Sequence, residues 1–254
     1  MHPIVEKVKL SEKACLLKIK AEHISRAMPG QFVMLQHRET SEPVPLSILE
    51  VGEGYFTCLV KGVGKSTLEL IEEAENLFYV AGPLGKPFPL GHYRKVAFYT
   101  YSWGIAPALN VARALKAQGK ELLLFHTSED FYLQEEAGRV FDEVIHDGEL
   151  RALHVDLVAS AGSNRLSKRL TSIYSQKPVI SMVNTHMLDA VGLCLVCRVL
   201  VEGKQRLACT DGPWFEAHLV DWANLIERES AYEEQEKLAL EEYRKALRRK
   251  SLKA

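Results

Sequence analysis

Over its first ninety positions the chain alternates short apolar stretches with turns. Residues 5–8, 15–19, 31–36, 46–50 and 55–60 have strand length, and Pro29-Gly30 and Gly52-Glu53-Gly54 punctuate them. Several short strands at this spacing predict a small antiparallel barrel. Residues 66–75 are the one helical stretch in this part.

The pattern changes after the Gly- and Pro-rich segment 82–91. Residues 95–101 form an apolar strand, and 106–117 place alanines and leucines at helical spacing. Residues 121–126, 155–160 and 178–184 read as further strands. Strands alternating with helices predict a parallel sheet with crossover helices, in a domain that starts near residue 91. Residues 184–222 are dense in Gly, Cys and Asp, as a ligand-binding loop layer would be. A charged helix is predicted over 227–254, with Glu early and Lys and Arg late, the order the helix dipole favours. Leu240, Tyr243 and Leu247 make a narrow apolar stripe on it, which fits a solvated terminal helix or a helix docked on a partner.

Composition narrows the function classes. The 254 residues are 47% hydrophobic and 26% charged, ordinary for a globular protein, and the formal net charge of −1 argues against nucleic-acid binding. The opening MHPIVEKVKL lacks the apolar core of a signal peptide. No apolar run approaches the roughly 18 residues of a membrane span. The expectation is a cytoplasmic protein without membrane insertion. His126, His146, His154, His186 and His218 are scattered without metal-ligand spacing, and no G-x-S-x-G elbow suggests a hydrolase.

Five cysteines, an odd number, make a poor disulfide framework. Cys15 and Cys58 sit in alternating apolar stretches and read as small buried hydrophobes. The other three are crowded into sixteen positions: Cys194-x2-Cys197, then eleven residues, then Cys209. The plant-type [2Fe-2S] pattern is C-x4-C-x2-C with a distant fourth cysteine. Asp189 occupies the first slot, giving D-x4-C-x2-C. A loop with a small residue, Gly192, can wrap its backbone around a cluster, and a hairpin turning at Glu202-Gly203-Lys204 would return the fourth ligand. Spacing alone leaves two other readings open: a structural zinc held by Cys3Asp, and cysteines that are inert core residues.

The stretches MLDAVGLCLVCRV and LACTDGPWFEAHLVDW resemble the end of the small subunit of NADH-dependent reduced ferredoxin:NADP oxidoreductase. Sulfide dehydrogenase subunits and, more distantly, the electron-transfer subunit of dihydroorotate dehydrogenase are similar. PGQFVML (29–35), KGVGKSTLEL (61–70), AGPLGKP (81–87) and WGIAP (103–107) extend the resemblance over nearly the whole chain. In the ferredoxin:NADP branch an aspartate fills the first ligand slot, so Asp189, Cys194, Cys197 and Cys209 are the implied cluster ligands.

The resemblance implies a multidomain β plus α/β chain with a ferredoxin-reductase-like fold. Its parts would be an FAD-binding antiparallel β-barrel (1–90), a parallel α/β nucleotide-binding-like domain (91–185), a [2Fe-2S] segment (186–222) and a helical tail (223–254). It also implies a larger flavin and iron–sulfur partner subunit. The implied FAD contacts are Pro45, Leu46 and Ser47 for the ring, and Gly62, Gly64, Lys65, Ser66 and Thr67 for the pyrophosphate. Pro43 stands where the family has an arginine, which removes a fork-shaped cation. Gly64-Lys65-Ser66 is no P-loop, because Leu59 stands where GxxxxGK[ST] needs glycine.

The family's glycine run before GIAP is replaced by Thr100-Tyr101-Ser102-Trp103, and its later G-P segment is altered around residues 159–163. Side chains of that size would fill the space a dinucleotide pyrophosphate needs. The expectation is therefore a subunit that relays electrons between FAD, a [2Fe-2S] cluster and its partner, without a working NAD(P) site. The alternatives are an NAD(P)H-oxidising flavoprotein subunit and a zinc-stabilised assembly subunit.

Overall fold

Seven strands of the computed structural model, which describes residues 1–251, join in one antiparallel sheet that curls into a nearly closed barrel. They are β1 (His2–Ser11), β2 (Ala14–Lys20), β3 (Phe32–Gln36), β4 (Val44–Gly52), β5 (Tyr55–Lys61), β6 (Asn76–Leu77) and β7 (Tyr79–Leu84), in the order β6-β1-β2-β5-β4-β3-β7. The period of two sets the inner face: Leu17 and Ile19 of β2 and Phe56, Cys58 and Val60 of β5 are buried together with Ile24, Leu35 and Ile48. Each such side chain contributes about 1.5–3 kcal/mol by leaving water. Cys15 and Cys58 are free and buried. Burial pushes the Cys15 thiol up to about 11 and the Cys58 thiol further up, so both stay neutral fillers. Helix α1 (Lys65–Glu72) leaves β5 through Gly62-Val63-Gly64.

The second sheet contains β8 (Lys95–Thr100), β9 (Glu121–His126), β10 (Glu143–His146), β11 (Leu157–Ala161) and β12 (Val179–Met182), all parallel, in the order β10-β9-β8-β11-β12. Helices α2 (Ile105–Ala117), α3 (Gln134–Val140) and α4 (Asn164–Ile173) make the crossovers. β8 and β11 are buried almost throughout because both faces of the sheet are covered. Strand order reverses between β8 and β11, the switch point where open α/β sheets carry ligands.

A two-stranded hairpin follows, β13 (Arg198–Val201) and β14 (Lys204–Leu207). Its loop residues Glu202 and Gly203 take φ of 51° and 70°, the left-handed pair a two-residue hairpin loop requires. Strand β15 (Trp214–Glu216) then adds antiparallel to β12 at the sheet edge. Helices α5 (Trp222–Glu229) and α6 (Glu233–Ser251) end the described chain. The last three positions of the expected tail, and the Leu247 side chain of its apolar stripe, lie outside the described residues. Among the described residues no helix is long and apolar enough to cross a membrane.

Barrel and α/β sheet meet along a hydrogen-bonded seam. Asn110 of α2 accepts from the Gly30 amide at 2.7 Å and donates to the Leu49 carbonyl at 3.3 Å; Arg113 donates to that carbonyl at 3.1 Å. From β15 the buried Trp214 donates Nε1 to the Gly30 carbonyl at 2.9 Å and meets Phe88 edge to face, with centroids 5.0 Å apart. A Cβ on Gly30 would lie 2.7 Å from Trp214 Nε1, and φ there is +89°, so only glycine fits.

Trp214→Phe keeps most of the ring packing and leaves the buried Gly30 carbonyl without its donor. It is expected to cost about 1–3 kcal/mol, read as a lower urea midpoint at unchanged slope.

Candidate functional site

The four candidate cluster ligands fall into two pairs. Cys197 and Cys209 are buried, and their Sγ atoms lie 3.2 Å apart as free thiols. Cys197 starts the hairpin and Cys209 follows it, so pairing of β13 with β14 brings them together; the Ala208 amide donates to the Cys197 carbonyl at 3.0 Å. Burial, with Cys197 beside it, pushes the Cys209 thiol up to about 12, a group that stays protonated unless a metal takes its proton.

The other pair is Asp189 and Cys194. Asp189 Oδ1 accepts from the amides of Val191 (3.0 Å) and Gly192 (3.3 Å), and Oδ2 from those of Leu193 (3.0 Å) and Cys194 (2.5 Å). These bonds hold the Asp189 carboxyl below the usual range, the Val191 amide foremost, and the Cys194 thiol also bonds to it. Ala190, Gly192 and Leu195 have positive φ, and this winds the loop tightly around the carboxylate. The Gly192 amide also bonds to Cys209, which links the two pairs.

Among the described residues no three His, Cys, Asp or Glu side chains gather to hold one ion. The set is three thiols and one carboxylate in two pairs, donors of the kind that iron–sulfur and zinc sites both take. Around them Leu188, Val191, Leu193 and Leu195 are exposed, Leu193 by 83%.

In the barrel, Pro45, Leu46 and Ser47 lie on β4, half buried, opposite Met34, Val33 and Phe32 of β3. Ser47 Oγ lies 3.9 Å from Met182 Sδ at the end of β12, so these residues face the α/β sheet across the cleft. Gly62, Gly64, Lys65, Ser66 and Thr67 lie together at the start of α1. The Thr67 hydroxyl accepts from the Val63 and Gly64 amides, both at 3.0 Å, and donates to the Gly64 carbonyl at 2.9 Å. The first helical bond runs from the Leu68 amide to Gly64, which leaves the amides of Lys65, Ser66 and Thr67 at the helix start. A Cβ on Gly64 would meet nothing within 4 Å. Open space in front of first-turn amides suits a phosphate. The structure thus holds the β4 group and the α1 group on two adjacent strands and their exit turn, as an extended dinucleotide would need.

At the switch point the loops after β8 and β11 touch through their backbones. The Tyr101 amide donates to the Ala161 carbonyl at 3.1 Å. A Cβ on Gly104 would lie 2.2 Å from that carbonyl oxygen, and one on Gly162 2.0 Å from the Tyr101 oxygen. The cleft left beside them, edged by Tyr101, Ser163, Arg165, Ile226 and Glu229, measures about 230 Å³. That is below the roughly 300 Å³ at which small-molecule sites begin. Glu229 of α5 accepts from Asn164 at 3.0 Å and Asn184 at 2.9 Å, bracing the loops that border it.

Spacing gave no hint of a second polar group in the same region. Lys61 Nζ, from the end of β5, donates to Asp130 Oδ2 at 2.5 Å and to Ser102 Oγ at 2.7 Å. Ser102 is buried with φ of 50°. Lys61 holds the Asp130 carboxyl below its usual range. His126 Nε2 donates to the Asp130 carbonyl at 2.9 Å, its Nδ1 accepts from Thr100 at 2.8 Å, and its ring stacks on Phe131 with centroids 4.3 Å apart. Burial pulls His126 down to about 4, so the ring is neutral.

Because the unfolded His126 binds its proton near 6.5 and the folded one near 4, the unfolded chain carries the extra proton between those values. Stability from this group is therefore full above pH 6.5 and falls as pH drops toward 4. His126→Gln is expected to show a shallower loss over that window in urea titrations run at each pH.

Residues 184–221 match the family described as the iron-sulfur cluster binding domain of dihydroorotate dehydrogenase B. The whole chain is 31% identical to a dihydroorotate dehydrogenase B (NAD(+)) electron transfer subunit homolog of Thermotoga maritima, over 96% of each chain. It is 27% identical to the dihydroorotate dehydrogenase B (NAD(+)) electron transfer subunit of Clostridium perfringens, over 79% of this chain and 89% of the relative. A solved structure of NADH-dependent reduced ferredoxin-NADP oxidoreductase, described for flavin-based electron bifurcation, superposes with a TM-score of 0.88 at 30% identity, over 96% of this chain and 98% of its own. The cytochrome b5 reductase domain of Ulva prolifera nitrate reductase shares the fold at 16% identity, with a TM-score of 0.52 over 66% of this chain and 88% of its own.

Proposed function

Since the chain belongs to the family of dihydroorotate dehydrogenase B electron-transfer subunits and their homologues, we propose that it is the electron-transfer subunit of a flavin and iron–sulfur oxidoreductase complex. Its two facing pairs, Asp189 with Cys194 and Cys197 with Cys209, carry this reading, because they lie on the segment that matches a cluster-binding domain.

In this reading Asp189, Cys194, Cys197 and Cys209 hold a [2Fe-2S] cluster. Pro45, Leu46 and Ser47 of β4 flank a flavin ring in the cleft below Met182, and the amides of Lys65, Ser66 and Thr67, with Gly62 and Gly64 shaping the turn, receive its pyrophosphate. Bound FAD would exchange electrons in pairs or singly and a [2Fe-2S] group one at a time. The division of labour follows the chain: residues 1–90 for flavin, 91–185 as a nucleotide-domain scaffold, 186–222 for the cluster and 223–254 as the tail. Exposed Leu188, Val191, Leu193 and Leu195 beside the cluster ligands suit contact with a larger redox subunit, since an apolar surface around a redox centre excludes water once covered.

Loss of the NAD(P) site is supported by space and by polar groups that are already paired. The Asp130 carboxylate is bonded to Lys61, and Lys61 also to Ser102, so these groups are satisfied without a nucleotide. The Tyr101 and Ser102 backbone occupies the switch point itself.

Anaerobic purification with the partner, followed by visible spectra and EPR after dithionite reduction, tests the reading. Charge-transfer bands, flavin bands and a rhombic S = 1/2 signal are expected; a colourless, EPR-silent protein containing zinc would overturn it. Asp189→Cys is expected to keep the cluster and move its midpoint, and an unmoved midpoint removes Asp189 from the ligands. NADH or NADPH is expected to leave the flavin of the purified chain oxidised. Rapid bleaching by either would restore a nicotinamide site.

A further inference from the structure

Arg228 sits in the last turn of α5, outside the loop that carries the candidate ligands. Its guanidinium forks onto two carbonyl oxygens, Arg198 O at 2.5 Å and Val196 O at 2.8 Å, on either side of Cys197. Arg198 makes a related contact, Nη1 to the Leu195 carbonyl at 3.4 Å. In a trans peptide the N–H points opposite to the C=O. Holding the Leu195 and Val196 carbonyls toward the two guanidiniums therefore turns the amides of Val196 and Cys197 away from them.

The nearby acids are engaged elsewhere. Asp189 is bonded to four loop amides within the other pair. Asp211 accepts from the Leu207 amide at 2.9 Å and lies 3.8 Å from Lys86. Glu229 is held by Asn164 and Asn184. Burial, followed by the neighbouring Arg198 charge, pulls Arg228 below its ordinary value, while Cys197 opposes that shift. A half-buried cation thus stands within electrostatic reach of one ligand pair, and the Asp189 carboxylate stands on the other.

We propose that Arg228 is a positioning residue that raises the reduction potential of the iron–sulfur group held at Cys197 and Cys209, by fixing a positive charge and the bracketing carbonyls beside that pair. This rests on the cluster reading above. One-electron reduction of such a group adds one negative charge and breaks no bond, so a fixed cation next to it stabilises the reduced form. The two halves of the site differ in the same sense, with a carboxylate on one pair and a guanidinium by the other.

The test is an EPR-monitored dithionite titration of the complete protein, anaerobic, with Arg228→Gln and Arg228→Lys beside the parent. Arg228→Gln is expected to titrate at a lower midpoint, with at least a tenfold drop in the reduced-to-oxidised ratio at fixed potential, equivalent to about 59 mV for one electron. Arg228→Lys keeps the charge but not the fork and is expected to recover at least half of that difference. A purely structural role would lower cluster content and melting temperature and leave the midpoint of the loaded fraction where it was, and that result overturns the proposal. Should Arg228→Gln not fold, an Arg228→Lys midpoint below the glutamine expectation or above the parent's decides against it as well. Loss of the cluster in both variants while the fold persists would assign Arg228 to cluster retention and also overturn it. If the parent itself gives no S = 1/2 signal, the cluster reading fails, an outcome distinct from unmoved midpoints.

Discussion

The contact between Trp214 and Gly30 is the constraint on which the arrangement depends. Trp214 belongs to β15, five residues after Cys209 and hydrogen-bonded to β12. Its indole donates into the barrel at Gly30, whose own amide is held by Asn110 of α2. One side chain therefore fixes the cluster segment, the α/β sheet and the barrel relative to one another. Under the proposed function, a flavin in the cleft and a cluster on the segment would need a fixed separation, and close packing at this seam, rather than a flexible linker, would supply it.

Backbone amides are left open in one region of the molecule and satisfied within the chain in others. At the start of α1, amides face open space beside Gly64. In the cluster loop, amides converge on Asp189 and on Cys209. At the switch point the same kind of backbone is turned inward: Tyr101 bonds to Ala161, and Lys61, Ser102 and Asp130 satisfy one another.

The fold was legible where periodicity is strong. β2, β3, β4, β5, β8, α2 and β9 lie within two residues of the positions their patterns predict, β1 runs three residues further at each end, and the hairpin turns where Glu202-Gly203 demands it. Helix α3, only seven residues long with Gly138 inside it, and the four-residue β10 carried too weak a period to be read, whereas α4 shows Leu166, Leu170 and Ile173 at helical spacing behind a Ser163 cap, a signal in the sequence that went unread. β7 was hidden because Gly82 and Pro83, which read as linker, lie within it. In the site, spacing marked Asp189 and the three cysteines as candidates, but the approach of Cys197 to Cys209 is a product of the β13–β14 register and that of Asp189 to Cys194 of the loop's amide bonds. The Lys61–Asp130 contact joins residues 69 apart, and Arg228 reaches back thirty positions to the carbonyls beside Cys197; no local pattern encodes either.

The interlock of Lys61, Ser102, Asp130 and His126 also bears on how this chain can evolve. Removing Asp130 alone strands a half-buried lysine, and removing Lys61 alone leaves a carboxylate facing the Ser102 hydroxyl and a neutral histidine. Glycine at position 102 would relieve its left-handed backbone but delete a partner of both charges. Each single step removes a partner of the others, so substitutions at these four positions are expected to combine non-additively.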